Sequence, residues 1–364
     1  MAGRWPALDF EAEKSVYGTV HAFLQVIGKL PTRALPWCNH SWHLAMLVVP
    51  TGFRTYPLPT DADEAEILLD CLASRLVLTT SDGRERTMAI TGQSVAAFHS
   101  ELSDMLRDAG EAEILLDCLA SRVVLTTSDG RERTISVTGQ SVAAFHSELS
   151  DMLREAGIAT LIDGSPNEVE EAIPFARDDA PRAWDSDTVQ RLHRAFSDAA
   201  RVLFEFRTGF VGKSSPVHLF WGSFDLAVTR FSGREAPLHP GGFPNLPDAV
   251  TREAYSHEVA SFGFWPGGGG VEEAAFYAYG YPTPEGLDKA GIEPAEAYWH
   301  TDLGEFVLPY AAVRSADDPE AALLRFLESA YRAVAARGEW DCAALDIPVG
   351  RFGEPYDLAA HRRR

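Results

Sequence analysis

TVQRLHRAFSDAARVLFEFRTGFVGKSSPVHLFWGSFDLAVTRFSGREAP, residues 188–237, holds the pattern on which the fold turns. Its first half reads as a helix. Gly212 and Lys213 then lead into a strand bearing His and aromatic residues, and a Gly-containing turn with a basic residue follows. In an alternating strand, Phe224, Leu226 and Val228 share one face, while Asp225, Ala227 and Thr229 share the other. Gly222 in its middle invites a bulge or a close backbone approach.

The same succession recurs faintly nearer the N-terminus. SVYGTVHAFLQVI reads as a helix, Gly28-Lys29 follows, and PWCNHSWHLAMLVVPTGFRTYPLP supplies an aromatic-and-His strand and a turn. Both halves continue into further strands and close on a helix, SVAAFHSELSDML in the first and PEAALLRFLESAYRAVAA in the second. The expectation is an α+β protein of two related helix–antiparallel-strands–helix modules. The first spans residues 1–165 and the second 188–345, with an acidic, Pro-containing linker at 166–187 and a tail at 346–364.

A second repetition is sharp. Residues 64–110 and 111–157 differ only at Leu76/Val123, Met88/Ile135, Ala89/Ser136, Ile90/Val137 and Asp108/Glu155, a tandem 47-residue duplication. In each copy, EILLDCL and a following run of β-formers are strands, and Ser-Asp-Gly-Arg is a turn before a further strand. Val95, Phe98, Leu102, Met105, Leu106 and Ala109 then fall at helical spacing, with Gly110 where a C-terminal cap belongs. Two copies cannot fill one place in a compact fold. One completes the domain, and the other extends the sheet, packs outside it or swaps with a neighbour. His99 and His146 are one helix position met twice and read as structural.

Composition narrows the function. The 364 residues are 46% hydrophobic and 23% charged, an ordinary globular balance. A formal net charge of −21 disfavours gripping nucleic-acid phosphates or an anionic membrane surface. Cys38, Cys71, Cys118 and Cys342 lack the close spacing of a zinc or redox motif, so reduced thiols and a cytoplasmic setting are expected. No signal peptide and no membrane-spanning run is evident.

FRTGFVGKSSPVHLFWGSFDLAVTRFSGREAP, with HPGGFPNLPDAVTREAYSHEVASFGFWPGG after it, resembles a widespread bacterial family catalogued only as a domain of unknown function. The likeness extends to NHSWH at 39–43, AIPFARD at 172–178 and EFVLPYAAVR at 305–314, and so covers nearly the whole chain. The resemblance implies no activity, substrate or cofactor. In the family pattern the strand–turn–helix unit stands once, whereas here it stands twice.

Candidate chemistry gathers in the second half. Asp225 in an apolar strand needs a partner, and Arg230 and Arg234 are the nearest by sequence. Either an Asp–Arg tie pins the strand, or the carboxylate recognises a ligand or acts as a general base. His218, His239 and the His257-Glu258 pair would supply proton carriers or a metal shell, though their spacing is not that of HExxH. Trp221 suits a pocket or a core, and Lys213 and Lys29 would neutralise an anion or sit in solvated turns. His40 and His43, on a strand, face opposite ways and make a poor chelating pair. SGREAPLHPGGFPNLPD reads as a pocket wall or lid, and GGGG at 267–270 as a hairpin connection.

The leading expectation is a pocket for a small anionic or polar ligand. Asp225, His257 and Glu258 would carry acid–base chemistry, while His218, Trp221, Arg230, Arg234, His239 and Lys213 bind. No cofactor is specified. The alternatives are an assembly protein, whose duplicated unit offers an edge for self-association, and a metal-dependent hydrolase.

Overall fold

The computed structural model describes residues 4–59, 64–80, 85–89, 92–94, 112–117, 122–127, 132–136, 139–144, 164–351 and 353–357. The expected repeat helices fall largely outside these, as do His99, His146 and Cys118. The class is α+β. Three long helices, Phe10–Gly28, Ser186–Thr208 and Pro319–Arg337, each start at an Asp whose carboxylate accepts from a backbone N–H of the first turn (Asp9, Asp185 and Asp318). Among the described residues no helix is long and apolar enough to cross a membrane.

The N-terminal sheet runs β1 (Leu47–Val49), β2 (Gly52–Arg54), β4 (Glu64–Asp70), β5 (Arg75–Thr80), β6 (Glu85–Ala89), with β3 (Leu58–Pro59) also on β4. All its pairings are antiparallel. Strands β4 to β6 are the first copy of the repeat. The second copy forms a separate three-stranded antiparallel sheet, β8 (Ala112–Asp117), β9 (Arg122–Thr127) and β10 (Glu132–Ser136). Between them, β7 (Gly92–Ser94) pairs in parallel with β11 (Gly139–Gln140), Gly92 facing Gly139. Val142, Ala143 and Ala144, helical residues of the second copy, are buried in the main core.

The C-terminal sheet is ordered β12 (His218–Phe220), β13 (Asp225–Glu235), β14 (His257–Trp265), β15 (Ala275–Tyr281), β17 (Glu305–Pro309), β16 (Tyr298–His300). The expected single strand through Gly222 is in fact a hairpin. His218 faces Ala227 and Phe220 faces Asp225, while Phe224, at a φ of 59°, closes the turn and leaves the strand alternation. The NHSWH segment departs from strand as well. Asn39–Ser41 is a tight turn in which His40 and Ser41 hold φ of 59° and 58°, left-handed values incompatible with extended chain.

One face of the C-terminal sheet presents Leu226, Val228, Phe262, Phe264 and Phe276 to the helices. Phe196 meets Phe264 at 5.0 Å and Phe206 meets Phe262 at 4.8 Å between ring centroids. Burying such rings is the main apolar stabilisation, about 25 cal/mol for each Å² removed from water. The main buried cluster draws on both halves, from Val20 and Phe53 to Phe264 and Leu327. The two sheets touch edge to edge at Met46 and Leu219, which exchange backbone hydrogen bonds of 2.8 and 2.7 Å.

Candidate functional site

The other face of the C-terminal sheet is polar, as an antiparallel sheet covered by helices on one side allows. Pleat alternation and register put Asp225, Ala227, Thr229, Ser261, Tyr277, Tyr279 and Glu305 there. Tyr277 lies across Gly263 and donates its hydroxyl to Asp225, whose other oxygen accepts from Ser223. Only glycine permits this. A Cβ on Gly263 would stand 2.4 Å from the Tyr277 ring and 2.2 Å from the Leu226 carbonyl oxygen. Beside it, the Tyr279 and Tyr255 hydroxyls meet at 2.7 Å, and those of Thr229 and Ser261 at 3.0 Å.

Segments from across the chain roof this floor and enclose a cavity of about 430 Å³. Helix Asp248–Ala254 and the preceding loop contribute Phe243, Val250 and Thr251, and the 39–43 turn contributes Ser41 and Trp42. The turn is fastened by the Glu253 carboxylate, which accepts from the His40 backbone N–H, and by His40 Nδ1 at 2.8 Å from the Ala254 carbonyl oxygen. Residues of the expected linker cross the cavity: Asn167 donates to the Asn245 carbonyl, and Glu168 N–H to that of Pro244 at 2.8 Å. The lysine of each half lies over a tryptophan of the other, Lys29 at 5.6 Å from Trp221 and Lys213 at 5.5 Å from Trp42. Gly28 admits this packing, since a Cβ there would fall 2.3 Å from the Trp221 ring.

The electrostatics are those of carboxyl groups removed from water. Burial and the nearby Asp225 carboxylate push Glu168 up to about 7 and Glu305 up to about 8. Asp225 itself is raised by burial, against the lowering effect of the Ser223 and Tyr277 hydroxyls. Among the described residues, no Arg, Lys or His forms an ion pair with any of the three. Two buried hydroxyls of the lining, Ser41 Oγ and Thr251 Oγ1, have no hydrogen-bond partner.

Of the residues singled out by sequence, Lys29, His40, Trp221 and Asp225 line the cavity. Trp221 donates its indole N–H to the Leu44 carbonyl at 2.9 Å. Arg230 lies on the opposite face of β13, fully buried, with its guanidinium 3.6 Å from the Phe206 centroid and 4.3 Å from Tyr331, donating to the Phe206 carbonyl. Burial holds it down to about 10. Arg234 is exposed and ties Glu258 and the Gly338 and Glu339 carbonyls together. Neither arginine pairs with Asp225: Arg230, at an even position, cannot share the face of an odd one, and Arg234, past the register shift after Phe231, is taken by Glu258. His257 stands at the start of β14, 6.2 Å from the His40 ring and beyond the cavity lining.

His239 packs against Tyr255 at 4.8 Å, behind the wall. Lys213 Nζ lies 2.5 Å from His40 Nε2, at the edge of the site. His218 is wholly buried, with neither ring nitrogen bonded, and burial drives it down to about 3. Among the described residues no three His, Cys, Asp or Glu side chains assemble into a metal-binding group. Sequence reasoning missed Glu168, Glu305 and Tyr277. The expected polar face of β13 pointed to such partners, but only the register supplies them.

A model of the family of unknown function DUF5996 matches residues 5–113 and 105–347. No curated protein and no solved structure matches the chain.

Proposed function

For a chain that belongs to the DUF5996 family, we propose that the cavity over the polar face of the C-terminal sheet binds a small organic molecule. Its apolar body would lie among Trp37, Trp42 and Trp221, and its polar group would meet Asp225 and Glu168. The observation that carries this reading is the polar floor. A hydroxyl-supported carboxylate faces a cavity of about 430 Å³ whose wall holds the unpartnered hydroxyls of Ser41 and Thr251. The anion-holding role expected of Arg230 and Arg234 is not carried forward, since both lie outside the lining. If chemistry accompanies binding, Asp225 and Glu168 are the groups placed to exchange a proton with the ligand, one as carboxylate and one as carboxyl.

The test is a saturation-transfer NMR screen of small aromatic compounds against the parent and the Val250→Trp variant, whose indole fills the cavity. Responses in the parent that vanish in a folded variant support the proposal. A parent that gives none, or a variant that keeps them all, refutes it.

A further inference from the structure

We propose that the ligand presents a cationic nitrogen, an amine or amidine, to the sheet floor. This rests on the pocket reading above and specifies its chemistry. Asp225 accepts from the neutral hydroxyls of Ser223 and Tyr277, and no basic side chain among the described residues pairs with Asp225, Glu168 or Glu305. The nearest buried guanidinium, Arg230, is turned to the far face of the same strand. Lys29 is in the lining but is held on the wall, bonded to Asn167 and stacked over Trp221. The floor therefore has acceptors and negative charge, and the walls have aromatic faces. That combination recognises organic cations, through ring quadrupoles and carboxylates together. The Ser41 and Thr251 hydroxyls, more than nine-tenths buried in the same wall, have no hydrogen-bond partner among the described residues.

Phenethylamine, 2-phenylethanol and 3-phenylpropionate are near-isosteric probes of opposite demand, and their binding is read from the intrinsic tryptophan fluorescence of the full chain. Phenethylamine is expected to bind about tenfold tighter than the alcohol, with a margin that grows from pH 5.5 to pH 8 and shrinks in Asp225→Asn. If the carboxylate binds as tightly as the amine and Val250→Trp abolishes both, the charge assignment is wrong while the pocket stands. If none of the three binds at millimolar concentration, both fall.

A second inference rests on the repeat alone. We infer that the chain closes its N-terminal sheet with either copy of the 47-residue unit, the other forming a separate three-stranded sheet beside it. Here the sheet takes the first copy's strands, β4 to β6, while the core takes Val142, Ala143 and Ala144 of the second copy. The join is β7 on β11, where Gly92 meets Gly139, its own counterpart 47 residues on. The chain thus departs and returns at equivalent points, one repeat apart. The family match likewise falls into two pieces, each containing one copy.

Strands 112–117, 122–127 and 132–136 differ little in sequence from those seated in the sheet, and at Leu76, buried in the first copy, the second copy has Val123. One methylene favours the first copy about fourfold, leaving a measurable minority with the second. Hydrogen exchange read by mass spectrometry separates the copies, because peptides containing Leu76 and Val123 differ in mass. Two populations in both peptides, and a folded protein after deleting residues 94–140, are expected. A single population in each of the two peptides overturns exchange, and so does loss of cooperative unfolding on deletion.

Discussion

Replacing Glu305 by Gln is expected to stabilise the protein at pH 8 and leave it nearly unchanged at pH 4.5. Glu305 stands on β17 opposite Tyr279, partly buried and held up to about 8 by burial and by Asp225. An exposed glutamate titrates near 4.5, and each tenfold of that difference in proton affinity is worth about 1.4 kcal/mol. The sign follows from proton counting. Below pH 4.5 the carboxyl is protonated in both states and contributes nothing. Between 4.5 and 8 the unfolded chain has lost the proton that the folded chain retains, so stability falls as pH rises, then levels off.

The full span would be about 5 kcal/mol. Partial solvent access and coupling to Asp225 and Glu168 reduce this, and about 2–3 kcal/mol is the expected gain for the variant at pH 8. Urea unfolding at pH 4.5, 6 and 8 measures it, with exposed Glu205→Gln as the control for the background of an acidic chain. A Glu305→Gln difference that stays within about 0.5 kcal/mol of constant over this range would show that the floor carboxyls are ionised in the folded protein, and the reasoning would fail.

Gly263→Ala should displace Tyr277 from Asp225, destabilise the fold by about 1–3 kcal/mol and weaken probe binding, as seen by denaturant unfolding and titration. Retention of both properties would mean that Tyr277 does not depend on that close approach. Arg230→Met should leave probe affinity unchanged while lowering stability by about 1–3 kcal/mol, because the guanidinium fills an aromatic box in the core. A loss of affinity in a variant of unaltered stability would return Arg230 to the site.

The sequence disclosed the floor of this site more readily than its walls. Alternation alone put Asp225, Ala227 and Thr229 together, and the structure keeps them so. The same alternation excluded Arg230 from their company, a consequence hidden by its nearness in the chain. Glu305 and Tyr277 reach Asp225 through strand register, which depends on how β14, β15 and β17 pair and leaves no local mark. Glu168 comes from a stretch that reads as a linker, since acidity and prolines record flexibility more plainly than what the chain crosses. The turn at Asn39–Ser41 and the hairpin at Phe224 depend on positive φ at His40, Ser41 and Phe224, which residue type does not announce, and Phe in particular favours strands. The repeat was the most visible feature of all. Its outcome, strands from one copy and helical residues from the other, required seeing Gly92 beside Gly139.

The central claim is that small molecules enter this cavity, and ¹⁹F NMR of the chain labelled with 5-fluorotryptophan tests it residue by residue. Of eight tryptophans, Trp37, Trp42 and Trp221 line the cavity. The account predicts that phenethylamine shifts these three resonances in a saturable way and leaves the other five in place. Saturable shifts confined to the other five, or none at any concentration, would contradict it.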